Sequence, residues 1–206
     1  MARKTKEEAE QTKQAIMDSA LALFYEKGFT RTTFDELAKR INLTKGAVYW
    51  HFRNKADLLA ELMRQKFCAK KDQVIKDNTN IDSVAQLRAY FQTMCASIEN
   101  DPEFCRFLKF MVFHMEWSDN IFNHIVKQLS DIVEQPRAKL KERLTFLQKS
   151  GEISPNANID ETALLLSCLW RGAVDTYVSK QYPMSLESTF LQGYDSIMNN
   201  IIMENK

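Results

Sequence analysis

The sequence predicts an all-α protein of about nine helices, in which a short amino-terminal three-helix domain precedes a larger helical one. Three observations predict it. With 5 Gly and 4 Pro in 206 residues, the chain has too few turn residues for an all-β sandwich. Ser, Thr, Asp or Asn repeatedly stands just before an apolar run, often with Glu three residues on, which marks helix starts. Apolar residues then recur every three or four positions, the spacing of one buried helical face. Hydrophobic residues at 45% and charged residues at 27% exclude wholesale disorder. The length suits a small domain joined to a medium one.

Taken in order, Thr5-Lys6-Glu7-Glu8 reads as a capping box, and Ile16, Ala20, Leu23 and Phe24 form the inner face of the helix it opens. Gly28 follows Glu26-Lys27 as a left-handed C-cap, with Phe29 folding back on the helix. Thr33 to Glu36 is a second capping box. It opens a helix with Phe34, Leu37, Ala38 and Ile41 inward. Asn42 stands where the chain turns sharply, and after Gly it tolerates positive φ best. Thr44 caps a third helix, so two short helices joined by a tight turn make a helix-turn-helix. Asn54 caps a fourth helix running to about Asp77. Beyond it, helices are expected over 82–99, 102–115, 119–149, 159–181 and 185–203. The breaks are Asp101-Pro102, Trp117-Ser118, Ser150 to Pro155 and Tyr182-Pro183, and Pro136 should kink its helix or restart it. Neither an internal repeat nor a low-complexity segment is present.

No apolar run reaches the roughly 18–20 residues of a membrane span. Met1-Ala2-Arg3-Lys4 is followed by Glu7, Glu8 and Glu10 rather than by an apolar stretch, unlike a signal peptide. The four cysteines, Cys68, Cys95, Cys105 and Cys168, have neither C-x-x-C nor metal-like spacing, and read as reduced core thiols. A soluble, cytoplasmic protein with no cofactor and no bound metal is expected. The net charge of +1 conceals an asymmetry: residues 1–71 hold 15 Lys and Arg against 9 Asp and Glu, and residues 72–206 hold 13 against 18. A first third at +6 on a remainder at −5 suggests that one end meets a polyanion.

The stretch from Thr44 to Leu58, TKGAVYWHFRNKADL, carries the function. Val48 and Phe52 are one helical turn apart and can pack inward on Leu37 and Phe24. That turns Lys45, Gly46, Tyr49 and Trp50 outward, an odd set for a free surface but a plausible face for a major groove. Lys45 can reach a guanine edge or a phosphate, and Gly46 lets the backbone approach. Tyr49 and His51 can donate to phosphate oxygens, and Lys55 adds its ammonium to the free N–H groups at the start of the fourth helix. The alternative is that Tyr49, Trp50 and His51 are core residues of a bundle. The stretch closely resembles the DNA-binding signature of the TetR family of bacterial repressors, T-x-G-x-[IV]-Y-x-[HY]-F-x-x-K-x-x-L, at every fixed position. Residues 1–65 are most similar to its AcrR and TtgR branch, which controls multidrug efflux pumps; one departure is Asn42, where that branch usually has Gly. The resemblance implies a DNA-binding domain over residues 1–54 and a ligand-binding and dimerisation domain over 55–206. It also implies that Thr33 and Thr44 cap helices and bond phosphate, that Lys45, Gly46, Tyr49 and Trp50 face the groove, and that His51 and Lys55 hold the DNA backbone. Arg3, Lys4 and Lys6 would form a minor-groove arm or a disordered tail.

Residues 104–122 contain six aromatics: Phe104, Phe107, Phe110, Phe113, Trp117 and Phe122. Stepping by three, the phenylalanines wind around the helix, so it should be buried on more than one side. Either this is packed core, or some of these side chains line an apolar ligand cavity. Candidate wall residues are Met63, Phe67, Phe91, Met94, Cys95, Phe107, Phe110, Met111, His114, Ile121, Phe122, Ile125 and Cys168. His114 is read either as a satisfied core histidine or as a ligand contact. Gly172 in mid-helix suggests a close helix approach. By resemblance the last two helices form a four-helix dimer interface, through Leu165, Leu169, Trp170, Gly172, Leu191, Tyr194, Ile197, Met198 and Ile201. The expected protein is a homodimeric repressor on an inverted-repeat double-stranded operator, released by a small hydrophobic ligand and without a membrane partner. Regulation of lipid or acyl metabolism is the alternative within the family. A helical enzyme is the alternative outside it, and no G-x-S-x-G, H-E-x-x-H or Walker A pattern supports that.

Overall fold

The computed structural model describes residues 5–77, 81–130 and 135–202. Its helices are α1 (Lys6–Lys27), α2 (Phe34–Arg40), α3 (Lys45–His51), α4 (Lys55–Asp77), α5 (Val84–Glu99), α6 (Pro102–Lys109), α7 (Asp119–Gln128), α8 (Gln135–Lys149), α9 (Ile159–Ser179) and α10 (Leu186–Met198). An antiparallel bridge joins Ile153 to Ile202. No helix among the described residues is long and apolar enough to cross a membrane. The chain packs as two compact units. One holds residues up to Lys66 together with His114–Leu129; the other holds Phe67–Phe113 and the residues from Ser130 on.

In the first unit, α1 opens on the Thr5–Glu8 capping box and buries Ile16, Ala20, Leu23 and Phe24. Gly28 ends it at φ 87° and ψ 160°. This positive φ is not the left-handed helical conformation expected of a C-cap, but an extended mirror region that only glycine enters freely. Phe29 folds back so that its ring lies 5.2 Å from that of Phe24. A reciprocal box between Thr33 and Glu36 starts α2, and Asn42 turns the chain at φ 53°. The Leu43 amide there donates to the Ala38 carbonyl at 2.8 Å. Thr44 Oγ1 then accepts from the Ala47 amide and starts α3. Leu37, Val48, Phe52, Leu58, Leu59 and Leu62 close the core beneath these helices. Helix α7 and the residues just before it belong to this unit: Thr30 donates to Glu116 at 2.6 Å, and His124 Nε2 on α7 lies 2.7 Å from Asp57 Oδ1.

The second unit contains α4 from Phe67 on, with α5, α6 and α8 to α10. Helix α5 lies against α10 through the two-pronged ion pair of Arg88 with Asp195, at 2.7 and 2.8 Å. The helix expected over 102–115 instead ends as α-helix at Lys109 and finishes in a π turn, Phe110–His114. Among the described residues, the single helix expected over 119–149 is two. Helix α7 stops at the Leu129 cap, and α8 restarts with Pro136 as its second residue, where a missing N–H costs nothing. Ten helices therefore stand among the described residues where about nine were expected. Helix α10 ends at Met198, short of the expected 203, which lies outside the described residues. The aromatic segment is only partly core: Phe104, Phe107 and Phe110 are buried, whereas Phe113, Trp117 and Phe122 are exposed.

Candidate nucleic-acid interface

Helix α3 is a seven-residue helix with two unlike faces. Val48 and Phe52 are buried, as are Leu37 and Phe24, which fixes the helix's rotation about its own axis. On the opposite side Tyr49 is 50% and Trp50 74% exposed, with Lys45 and Gly46 also exposed. The alternative of a core Tyr49 and Trp50 is thereby excluded. Removing large apolar rings from water is worth about 25 cal/mol per Å², so a ring as exposed as Trp50 is a standing invitation to a partner surface. The Tyr49 ring is steadied edge-on by Phe34 at 5.0 Å and that of Trp50 by His51 at 4.6 Å. His51 is half-buried.

Several charges of this unit are paired. Lys45 Nζ lies 2.9 Å from Asp35 Oδ2, Arg40 makes two 2.7 Å bonds to Glu26, and Lys27 pairs with Glu36. Hydrogen bonds from Lys27 and Thr33 hold the Glu36 carboxyl down at about 2, so the box that starts α2 persists far below neutral pH. Thr33 and Thr44 use their side-chain oxygens on the Glu36 and Ala47 amides. The expected role of Lys55 needs correction. Its ammonium donates to the carbonyls of Phe29 and Thr30, both at 2.8 Å, and sits over the Phe29 ring. Burial lowers its pKa. The last turn before α2 presents two carbonyls that no helix satisfies, and Lys55 is the donor within reach. Of the expected arm, Lys6 is exposed at the start of α1, while Arg3 and Lys4 lie outside the described residues. Asp35 was missed in sequence. Its signal was its place in the first turn of α2, ten residues before the first residue of α3.

Residues 16–62, which span most of α1 through the start of α4, match the family model described as "Bacterial regulatory proteins, tetR family". Over these residues the chain is similar to the amino-terminal domain of the TetR family. The "Probable acrEF/envCD operon repressor" of Escherichia coli K12 is 26% identical over 181 residues, 86% of this chain and 81% of that one. The "HTH-type transcriptional regulator AcrR" of Shigella flexneri is 52% identical over 62 residues, 30% of this chain and 29% of that one. Among solved structures, the repressor of the Stenotrophomonas maltophilia multidrug efflux pump SmeDEF, SmeT, in complex with triclosan, covers 95% of this chain and 93% of its own at 21% identity, with a TM-score of 0.78. At that identity the likeness is one of fold.

The expected ligand-wall residues are distributed over both units. In the first, Met63 and Ile125 are buried, Ile121 is half-buried, and His114 and Phe122 are exposed. In the second, Phe91, Cys95, Phe107, Phe110 and Met111 are buried, Phe67 and Met94 are half-buried, and Cys168 is exposed. The second-unit aromatics gather in two clusters. Phe67 meets Phe104 and Phe107 with ring centres 5.8 and 6.1 Å apart. Phe91 meets Trp170, Phe190 and Tyr194 at 6.0, 4.9 and 5.6 Å. Rings this close occupy one another's space, as packed core does. Burial also pushes the Cys95 thiol up to about 12, so it is an inert apolar filler. Cys168 cannot be a core thiol or a cavity wall of this unit, because it falls on the outer side of α9. A surface notch of about 380 Å³ in the same unit is lined by Tyr177, Lys180, Gln181, Tyr182, Pro183 and Met184, none of them an expected wall residue.

The expected dimer residues also divide. Leu165 and Gly172 are exposed on α9, beside Leu164 and Cys168, and Leu169, Trp170, Ile197 and Ile201 are partly exposed. Leu191, Tyr194 and Met198 are buried. They recur at i, i+3 and i+7 on the side of α10 that faces its own core, and so offer nothing to a second chain. Gly172 has open space where its Cβ would be; the close helix approach is at Gly193, where a Cβ would stand 2.8 Å from Leu169.

Proposed function

We propose that this chain is a ligand-responsive, sequence-specific transcriptional repressor of a multidrug efflux operon, not an enzyme. It acts in the cytoplasm as a homodimer on an inverted-repeat operator and is released by small hydrophobic compounds. The observation that carries the reading is the outward edge Lys45, Gly46, Tyr49 and Trp50 on a helix locked by Val48 and Phe52, within the residues that match the family. Residues 1–54 read DNA, and residues 55–206 bind ligand and dimerise through the exposed apolar side of α9. The efflux assignment follows the operon repressor of Escherichia coli, which is related over most of its length.

The physics of release follows from linkage. A ligand lowers operator affinity only by binding more tightly to the conformer that fits DNA poorly, and equal affinity for both would shift nothing. Helix α4 contributes residues to both compact units, and α7 is fastened to α4 through His124 and Asp57; on this reading these two helices carry the displacement to the reading helix. Couplings of about 1–3 kcal/mol, roughly 5- to 150-fold, are typical.

The test is a gel-shift titration of the protein on its own promoter region, in the presence of triclosan, a cationic dye or a long-chain acyl-CoA. Release by triclosan or the dye over that range is expected. Release by the acyl-CoA alone would move the assignment to lipid regulation, and no effect of any of them would remove ligand response from the account.

A further inference from the structure

The sequence directs attention to Lys45 as a free cation on the reading helix, yet its ammonium lies 2.9 Å from Asp35. The two residues are the first of α3 and the second of α2, so the helix-turn-helix geometry itself brings them together. Tyr49 stands one turn of α3 beyond Lys45, so the carboxylate that pairs with Lys45 lies on the border of the same edge. The pair is open to solvent on both sides, at 53% and 55% exposure, and contributes little to stability. A carboxylate there repels phosphate oxygens. Base edges treat it differently, because a cytosine N4 amino group donates to a carboxylate while guanine N7 and O6 accept from a lysine.

We infer that Asp35 is a specificity-determining residue, which holds Lys45 at a base-reading position and suppresses its use as a non-specific phosphate anchor. On arbitrary duplex the pair stays closed and Lys45 adds no phosphate contact. At a fitting base pair both groups find partners together, with the lysine on a purine acceptor and the carboxylate on a pyrimidine amino group. The same closed pair holds the Lys45 pKa above its ordinary value. The inference rests on the DNA-reading function proposed above and adds to it a residue that the signature does not include.

The experiment compares two duplexes: one enriched from a randomised pool by the wild-type protein, and one of the same length and composition with scrambled order. Asp35→Asn keeps side-chain size at an exposed position and removes the charge. It should tighten binding to the scrambled duplex about tenfold at 0.1 M salt and steepen its salt slope by about 0.9, the value of one more phosphate contact. The enriched duplex should gain less, so discrimination falls. Asp35→Glu should retain wild-type discrimination. In a Lys45→Ala background, Asp35→Asn should leave the slope unchanged, because the freed cation is no longer there. Equal tightening on both duplexes, or a slope change that survives Lys45→Ala, would show a bulk charge effect and overturn the inference. Failure of the wild-type protein to enrich any duplex would instead overturn the DNA-reading function, and this inference with it.

Discussion

Lys55 belongs to the first turn of α4, yet its ammonium serves the turn after α1, 2.8 Å from two carbonyl oxygens. Replacing it by Met keeps the stem, removes the donor to the Thr30 carbonyl and leaves that of Phe29 with the Thr32 amide alone. Because the Thr30 side is exposed, the cost falls at the lower end of that for unmade hydrogen bonds, about 1–2 kcal/mol. Chemical denaturation of Lys55→Met should show that loss, with the salt slope of DNA binding unchanged. A slope flattened by about one unit with stability intact would return the ammonium to phosphate. The contrast with the caps is instructive. Thr5, Thr33, Thr44 and Asn54 bond to amides three residues away, so the local order of residues suffices to identify them. The partners of Lys55 and Lys45 lie 26 and 10 residues off, and become visible only when the turns that join the helices are known.

At the scale of elements, the helix-turn-helix depends on the Asn42 turn. Its φ of 53° is a conformation that costs an ordinary L-residue roughly 1–2 kcal/mol. Asn42→Val should therefore destabilise the chain by about that amount, while Asn42→Gly should be neutral or slightly stabilising. Urea titrations of the two variants check this, and equal stability of both would contradict the turn argument. This turn was legible because Asn stood at a forced bend, and the starts of α6 and α7 were legible from Asp101-Pro102 and Ser118. The π turn after Lys109 was not, since Phe110 to His114 carries no breaker. The direction of the apolar faces was not legible either. Leu164, Leu165 and Cys168 on α9 and Leu191, Tyr194 and Met198 on α10 are equally apolar in sequence. Only the first set points outward, because a core face and a face awaiting a partner chain obey the same pattern.

For the whole molecule, the basic first third of the chain also carries the exposed edge of α3. Lys27, Arg40 and Lys45 there are held by Glu36, Glu26 and Asp35, so the cations nearest the reading helix are not simply open to phosphate. The membership of α7 in the first compact unit had no sequence signal, since Glu116 and His124 are 86 and 67 residues from their partners Thr30 and Asp57. The central claim is that Tyr49 and Trp50 face outward to meet DNA, twice in a symmetric dimer, and footprinting of the enriched duplex tests it most directly. The wild-type protein should protect an inverted repeat whose half-site centres are about 34–36 Å apart. Trp50→Ala, with its melting curve unchanged, should lose affinity for that site by roughly 5- to 150-fold, the worth of a base contact of about 1–3 kcal/mol. Undiminished protection by Trp50→Ala, or protection of a single site without two-fold symmetry, would contradict the account.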